Sequence, residues 1–390
     1  MTMQDNIEPA HEDPSKGRAE PIAAAPVAPP SSARGTIPPG YIHLGVSKEI
    51  APVLREFGLD PNALIRASGL DPRLFEDSTN VVPIAALARL YTLSAAATRC
   101  PHLGLLVGRR ATILSMDLVG RLMQHSDTVG AALDGLVSNL NVQDRAVVAS
   151  LTKVDGMALL TFAVYSPQTE STEQITDASL AVAVNALRAL CGSEWNPIEV
   201  LVPRTNPADP KSYRQHFRAP VRFNQESATL VFPAEDLTRA VAGADPLLRA
   251  VLEDRIRQLR TNAGAGFQDD IRRLLRTRML GARSSAEDIA GLLAVHRRTL
   301  SRRLKGSGQG YRSMTNEIRF EIARQLLGDT EVPLAEIAAA LGYSEASAFT
   351  RAFRRWSGQT PTAWRAGWAH GACLLDGAPF SALSGGVQCR

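Results

Sequence analysis

Apolar residues recur every three to four positions between residues 41 and 145. Ile84, Leu87, Leu90, Tyr91 and Leu93 mark one helical face, and Leu118, Leu122, Val129, Leu133, Leu136 and Leu140 mark others. The pattern then becomes extended: residues 146 to 151 and 157 to 165 are rich in valine, leucine and aromatic residues on either side of Asp155-Gly156, a hairpin-turn dipeptide. A helix is predicted over 176 to 190, and extended segments over 198 to 203, 221 to 223 and 228 to 232. Together these predict an α+β domain over residues 41–240. A further helix is expected over 246 to 260, with Leu247, Val251 and Leu259 sharing a side, followed by a short linker over 261 to 266.

Helical periodicity returns in the last third. Residues 286 to 305 read as helix, tight turn and helix, joined through Ile289, Ala290, Leu293, Leu300 and Leu304. The outward positions of the second helix are basic: Arg297, Arg298, Arg302, Arg303 and Lys305. The pattern repeats further on. Leu334, Ile337, Ala338, Leu341 and Gly342 form a supporting helix and turn, and Ser344 is the expected cap of a helix running to Trp356. Phe349 and Phe353, four apart, would anchor that helix, leaving Glu345, Ala346, Ser347, Thr350, Arg351, Arg354 and Arg355 outward. Between the units, residues 311 to 327 carry Ile318, Ile322, Ala323, Leu326 and Leu327 on one face of a continuous spacer helix. Such a rod could set two outward helices into successive major grooves, about 34 Å apart on one side of a duplex.

Charge sharpens this picture. Between residues 267 and 370, 17 Lys and Arg stand against 10 Asp and Glu, leaving 26 against 29 elsewhere. The positive charge therefore sits where two basic helices are expected, as a polyanion-binding region requires. A solvated basic helix is the plain alternative for one such segment; the repeat favours the nucleic-acid reading. Cys100, Cys191, Cys373 and Cys389 are scattered, which suggests neither a disulfide framework nor a zinc site and fits a reducing compartment. No run approaches the roughly 18 apolar residues of a membrane span, and the acidic start, with Asp5, Glu8, Glu12 and Asp13, is unlike a secretion signal. Residues 1–40, with eight prolines and few large apolar groups, are expected to be a disordered tail, and 369–390 a flexible one.

The last hundred residues resemble the DNA-binding region of the AraC/XylS family. The resemblance rests on Leu341-Gly342-Tyr343, on Phe349, Arg351, Phe353, Arg354 and Trp356, and on Gly358, Thr360, Pro361 and Arg365 in order and spacing. Residues 46 to about 236 are similar, through Trp195, Pro197, Pro207, Tyr213, Phe217, Val221 and Phe223, to the effector domain of the branch with ornithine-utilisation and mycobacterial virulence regulators. The resemblance implies that Arg298, Ser301 and Arg302 in the first unit, and Ala346, Ser347, Thr350 and Arg351 in the second, approach bases; Arg297, Arg303 and Arg354 complete the expected DNA-binding set. His296 stands where the family commonly has a Ser cap, so the first reading helix should start less firmly by about 1 kcal/mol.

The sequence offers little for catalysis. Gly306-Ser307-Gly308-Gln309-Gly310 imitates a phosphate loop but follows a basic helix and lacks the later Lys-Ser/Thr, so it reads as a connector. Cys191 could sense redox state, yet its place beside Leu187 and Leu190 favours a buried structural thiol. Asn139, Asn141, Gln143, Asp144 and Arg145 are polar enough to line a pocket, as many helix-to-strand connections are.

The expectation is a cytoplasmic, non-enzymatic, ligand-responsive activator of a metabolic operon. Its α+β effector domain would be followed by a connecting helix and linker over 241–266 and an all-α double helix-turn-helix domain over 267–368. Promoter DNA, RNA polymerase and an unidentified small-molecule effector are the expected partners, with no cofactor and no metal; homodimerisation is open. The alternatives are a repressor, a dimerising regulator without an effector, and a sensor that acts on the molecule it detects.

Overall fold

A computed structural model describes residues 37, 40–140, 147–164, 172–207, 210–262, 271–272, 274–276, 279, 297–306 and 310–369. Several expectations fall outside the described residues: most of the two tails, the linker from 263 onward, the supporting helix of the first unit with His296, and Asn141, Gln143, Asp144 and Arg145.

The first helices are α1 (Ile50–Glu56), α2 (Pro61–Ala67), α3 (Ile84–Thr98), α4 (Leu103–Arg110), α5 (Asp117–Gln124) and α6 (Val129–Asn139). Ile84, Leu87, Leu90 and Tyr91 of α3 are all buried, as their spacing requires. Two short strands interrupt a stretch that reads as wholly helical. β1 (Tyr41–His43) and β2 (Val81–Pro83) pair antiparallel, Ile42 opposite Val82. Three residues are too few to set up a period of two. Ile37, within the expected disordered tail, is buried as well.

A five-stranded sheet follows, comprising β3 (Val147–Val154), β4 (Met157–Val164), β5 (Glu199–Leu201), β6 (Val221–Arg222) and β7 (Ala228–Pro233). Its order is β3-β4-β7-β5-β6, with only the β5–β6 pair parallel. Asp155 and Gly156 adopt φ of 48° and 77°, the turn that lets Val154 pair with Met157. Helix α7 (Glu173–Cys191) crosses this domain and α8 (Lys211–Phe217) follows β5. Helix α4 lies on α7 so closely that a Cβ on Gly104 would sit 2.0 Å from the Gln174 carbonyl oxygen, and one on Gly108 2.5 Å from that of Ala178. The Asn185 amide ties the same helices together by donating to the carbonyls of Gly108 (3.1 Å) and Ala111 (2.8 Å).

A charged cluster is buried between α7 and α8. Arg204 donates to Asp177 at 2.5 Å and to the Tyr213 hydroxyl at 3.0 Å, Tyr213 donates to Asp177 at 2.6 Å, and Glu173 lies 3.3 Å from the guanidinium. Burial raises the Asp177 carboxyl, and Arg204 and Tyr213 pull it back down. Removing one member of such a pair costs about 3–5 kcal/mol, because the other stays buried and uncompensated. The Cys191 thiol is half-buried and burial pushes it up to about 11, so it is no ready thiolate.

Helix α9 (Pro246–Asn262) packs on α5 through Leu252 and Ile256, which meet Leu122 and Leu118. The side that carries Leu247 and Val251 is left outward: Leu247 is 82% exposed and Val251 65%. The C-terminal region holds α10 (Arg297–Gly306), α11 (Tyr311–Asp329), α12 (Leu334–Ala340), α13 (Ala346–Ser357) and α14 (Pro361–Ala369). Its rod, α11, also lies against the sheet. Gln325 donates to the Val164 carbonyl at 2.5 Å, the Thr205 N–H donates to the Asp329 carbonyl at 3.1 Å, and the Glu331 N–H donates to the Asn224 side chain at 3.2 Å. Val148 of β3 joins Ile271, Leu275, Leu300, Leu304, Met314 and Ile318 in one apolar cluster, with Ala163 of β4 beside it.

His216 yields a pH prediction. Burial pushes its imidazole down from 6.5 to about 4, and Arg188, Arg109 and Arg218 add to the effect. Above pH 6.5 the ring is neutral both folded and unfolded. Between 6.5 and 4 only the unfolded chain takes the proton, so stability falls as pH falls through that window, by on the order of 3 kcal/mol from this group. In denaturant titrations at stepped pH, His216→Gln should flatten this part of the slope; a slope equal to wild type removes His216 as its source.

Candidate nucleic-acid interface

The second helix-turn-helix unit is built on an aromatic core. Phe349, Phe353 and Trp356 of α13 are buried, and Phe353 meets Phe320 of α11 at 5.5 Å and Trp364 of α14 at 5.7 Å between ring centroids. Tyr343, in the turn, packs on Phe349 at 5.8 Å while the Arg319 guanidinium lies 5.2 Å over its ring. The turn needs Gly342, whose φ is +78°. Gly358 ends α13 at φ +76°, its N–H donating to the Arg354 carbonyl at 2.8 Å, and Pro361 opens α14.

Phe349, Ala352, Phe353 and Trp356 commit one face of α13 to this core, and the opposite face is outward. Ser347, Arg351, Arg354 and Arg355 are exposed, and Ala346 and Thr350 half-buried. Glu345, rather than Ser344, holds the N-cap position of α13, and its side chain makes no cap bond; its carboxylate instead accepts from the Ser347 hydroxyl at 3.0 Å. Thr350 donates back to the Ala346 carbonyl at 2.9 Å. Arg365, a family-motif residue, does not face outward: it donates to the carbonyl of Val332 at 2.7 Å and approaches that of Leu327 at 3.4 Å. It stitches α14 to the end of α11.

In the first unit Leu300 and Leu304 are buried at the expected spacing of four, facing Met314 and Ile318. That leaves Arg298, Ser301 and Arg302 exposed on α10. Arg297 and Arg303 belong to the same helix, and their side chains lie outside the described residues. Between the units α11 runs for 19 residues, about 28 Å of helix. The structure thus brings two helices with exposed arginines to the ends of one rod.

Two family models match the chain: the arabinose-binding domain of AraC transcription regulators, N-terminal, over residues 58–241, and a helix-turn-helix domain over residues 289–367. The chain belongs to the AraC family of transcription regulators. It is 26% identical to the ornithine utilization regulator of Pseudomonas aeruginosa over 326 residues, 83% of this chain and 96% of that protein. It is equally similar, at 26% over 316 residues, to the regulator VirS of Mycobacterium tuberculosis, covering 80% and 93% of the two chains. Among solved structures, the regulator CdpR from P. aeruginosa aligns with 25% identity over 78% of this chain and 96% of its own, at a TM-score of 0.38. The chain is a DNA-binding transcription regulator of this family.

The sequence reading missed the contacts of the rod with the sheet. Gln325, Val148 and Ala163 carry no motif; only consecutive apolar residues at Val147-Val148-Ala149 and Phe162-Ala163-Val164 hinted at burial on both faces.

Arg302→Ala and Arg351→Ala test the reading helices. In gel shifts on the cognate promoter each should weaken specific binding by about 5–150-fold, as loss of a base contact worth ~1–3 kcal/mol requires, with much less effect on unrelated DNA. Wild-type affinity in both variants would show that bases are read by other residues.

Proposed function

We propose that the chain is a cytoplasmic, ligand-responsive activator: a small molecule held in the first domain alters how the two DNA-reading helices are presented to a promoter. The observation that carries this is the position of the β3–β4 hairpin. Its Val147, Leu160 and Phe162 border an internal cavity of the first domain, while the neighbouring Val148 and Ala163 pack on the core beneath α10. One strand thickness separates an effector from the first reading unit. A displacement of the hairpin by a ligand would be felt in that core directly, since packed side chains do not deform continuously.

The reading is binding rather than catalysis. The relatives above are regulators, and among the described residues no group of metal-ligating side chains occurs. Nor is any described helix long and apolar enough to cross a membrane. RNA polymerase is the partner an activator requires, and a metabolic operon is the target suggested by the name of the ornithine utilization regulator. The exposed Leu247 and Val251 of α9, four residues apart, support a homodimer joined through that helix, since Leu252 and Ile256 already hold it to its own domain.

Two outcomes test this. Val148→Asp sets a charge against Ile271, Leu300 and Ile318, so it should change promoter affinity of the full chain at least fivefold without touching DNA; Gln325→Ala should act in the same direction but less. If hydrogen exchange shows α11 loosened and affinity is unaltered, the coupling is wrong. For the dimer, light scattering of the full chain should give twice the chain mass, halved by Leu247→Glu with Val251→Glu; a monomeric wild type would refute it.

A further inference from the structure

The cavity beside β3 and β4 has a chemistry of its own. It occupies about 110 Å³ and is closed by the segment from Ile42 to Ser47, by Met123 and Leu136 of α5 and α6, by the sheet, and by one face of α7. Space exists there because α7 presents small groups: Ala178, Ser179, Ala183 and Ala186 line the cavity where longer side chains would fill it. No Lys, Arg, Asp or Glu is among its described lining residues. Its few polar groups are weak and uncharged. Ser179 spends its hydroxyl on the Ile175 carbonyl at 2.8 Å. Ser47 and Tyr91, both buried, share one hydrogen bond at 3.1 Å. Two hydroxyls sharing one bond keep one O–H free to donate. Burial holds His43 below and Tyr91 above their ordinary values, so both stay neutral near pH 7.

A sugar would leave several hydroxyls without partners here, and an amino acid or free carboxylate would find no counter-charge among the described lining residues; both are costly in an apolar site. We infer that the cavity binds an uncharged, mainly apolar small molecule carrying a single hydrogen-bond acceptor, which meets the Ser47–Tyr91 hydroxyl pair. The size limits the ligand to about a single small ring, since a cavity of ~150 Å³ lined by aliphatic and aromatic side chains takes up benzene and this one holds about 110 Å³. This rests on reading the first domain as the sensor, and it narrows that sensor's ligand class.

The test is saturation-transfer NMR on the full-length chain with benzyl alcohol, toluene, L-arabinose, L-ornithine and hexanoate as separate probes. Benzyl alcohol should receive saturation while arabinose, ornithine and hexanoate do not. Ala183→Phe, which fills the cavity, should abolish the benzyl alcohol signal while the thermal transition stays cooperative. Tyr91→Phe combined with Ser47→Ala, which removes both hydroxyls, should weaken benzyl alcohol about fivefold, as loss of one neutral hydrogen bond implies, and leave toluene unchanged. Three results overturn the inference: no benzyl alcohol signal, a signal that survives in both variants, or saturation of a sugar, amino acid or carboxylate that Ala183→Phe removes. Gel shifts on the same preparations separate the readings. Promoter binding with no benzyl alcohol signal sinks the ligand class alone, whereas loss of promoter binding in the wild-type chain sinks the regulator.

Discussion

Burial of the β3–β4 hairpin on both faces is the constraint around which the molecule is organised. Antiparallel sheets commonly turn one face to water. Here Val147, Leu160 and Phe162 look into the first domain, and Val148 and Ala163 meet a second apolar cluster built from Leu300, Leu304, Met314 and Ile318. An apolar side chain on either face removed from water contributes roughly 25 cal/mol per Å², so separating the two regions would return that surface to solvent. The backbone is engaged as well, through Gln325 on the Val164 carbonyl. The first domain and the helices proposed to read DNA are therefore joined across a shared wall, as well as along the chain.

Much of this was legible because local periodicity and tertiary environment agree. Phe349 and Phe353 are four apart on a helix and are buried; Asp155-Gly156 is a turn; Leu300 and Leu304 anchor α10. Agreement across levels is what makes a sequence readable. The failures lie where only tertiary contact decides. Leu247 and Val251 satisfy helical spacing as well as Leu252 and Ile256, and it is the position of α5 that selects the latter pair for burial. Ser344 is the better cap by type, yet the chain enters the helix one residue later, at Glu345. The cavity was illegible for a different reason: its walls come from segments between residues 42 and 186, none with a motif, and its emptiness depends on side chains that are absent. The buried Asp177–Arg204 pair shows the same limit, since 27 positions separate its members.

The two reading units differ in how their cores are closed. The second is self-contained: every buried member of its cluster lies between Ala323 and Trp364, and its aromatic rings lock α13 against α11 and α14. The first borrows from the sheet of the first domain, because Val148 sits in the same cluster as Leu300 and Leu304. On the proposed reading a ligand therefore acts unequally. The buried cluster of the second unit holds no residue of the sheet and touches the first cluster through Ile322 of α11, so on this reading its arginines are the less affected. The first unit's helix rests on residues that also rest on the sheet, and a shift in that wall changes its seating. An energetic coupling needs an element with two arrangements that both sites bias, and on the proposed reading α10 on its shared core would be that element. DNA binding would then be graded on that reading: one half of the site would be gripped with less change, and engagement of the other half, together with the geometry offered to polymerase, would be set by the effector.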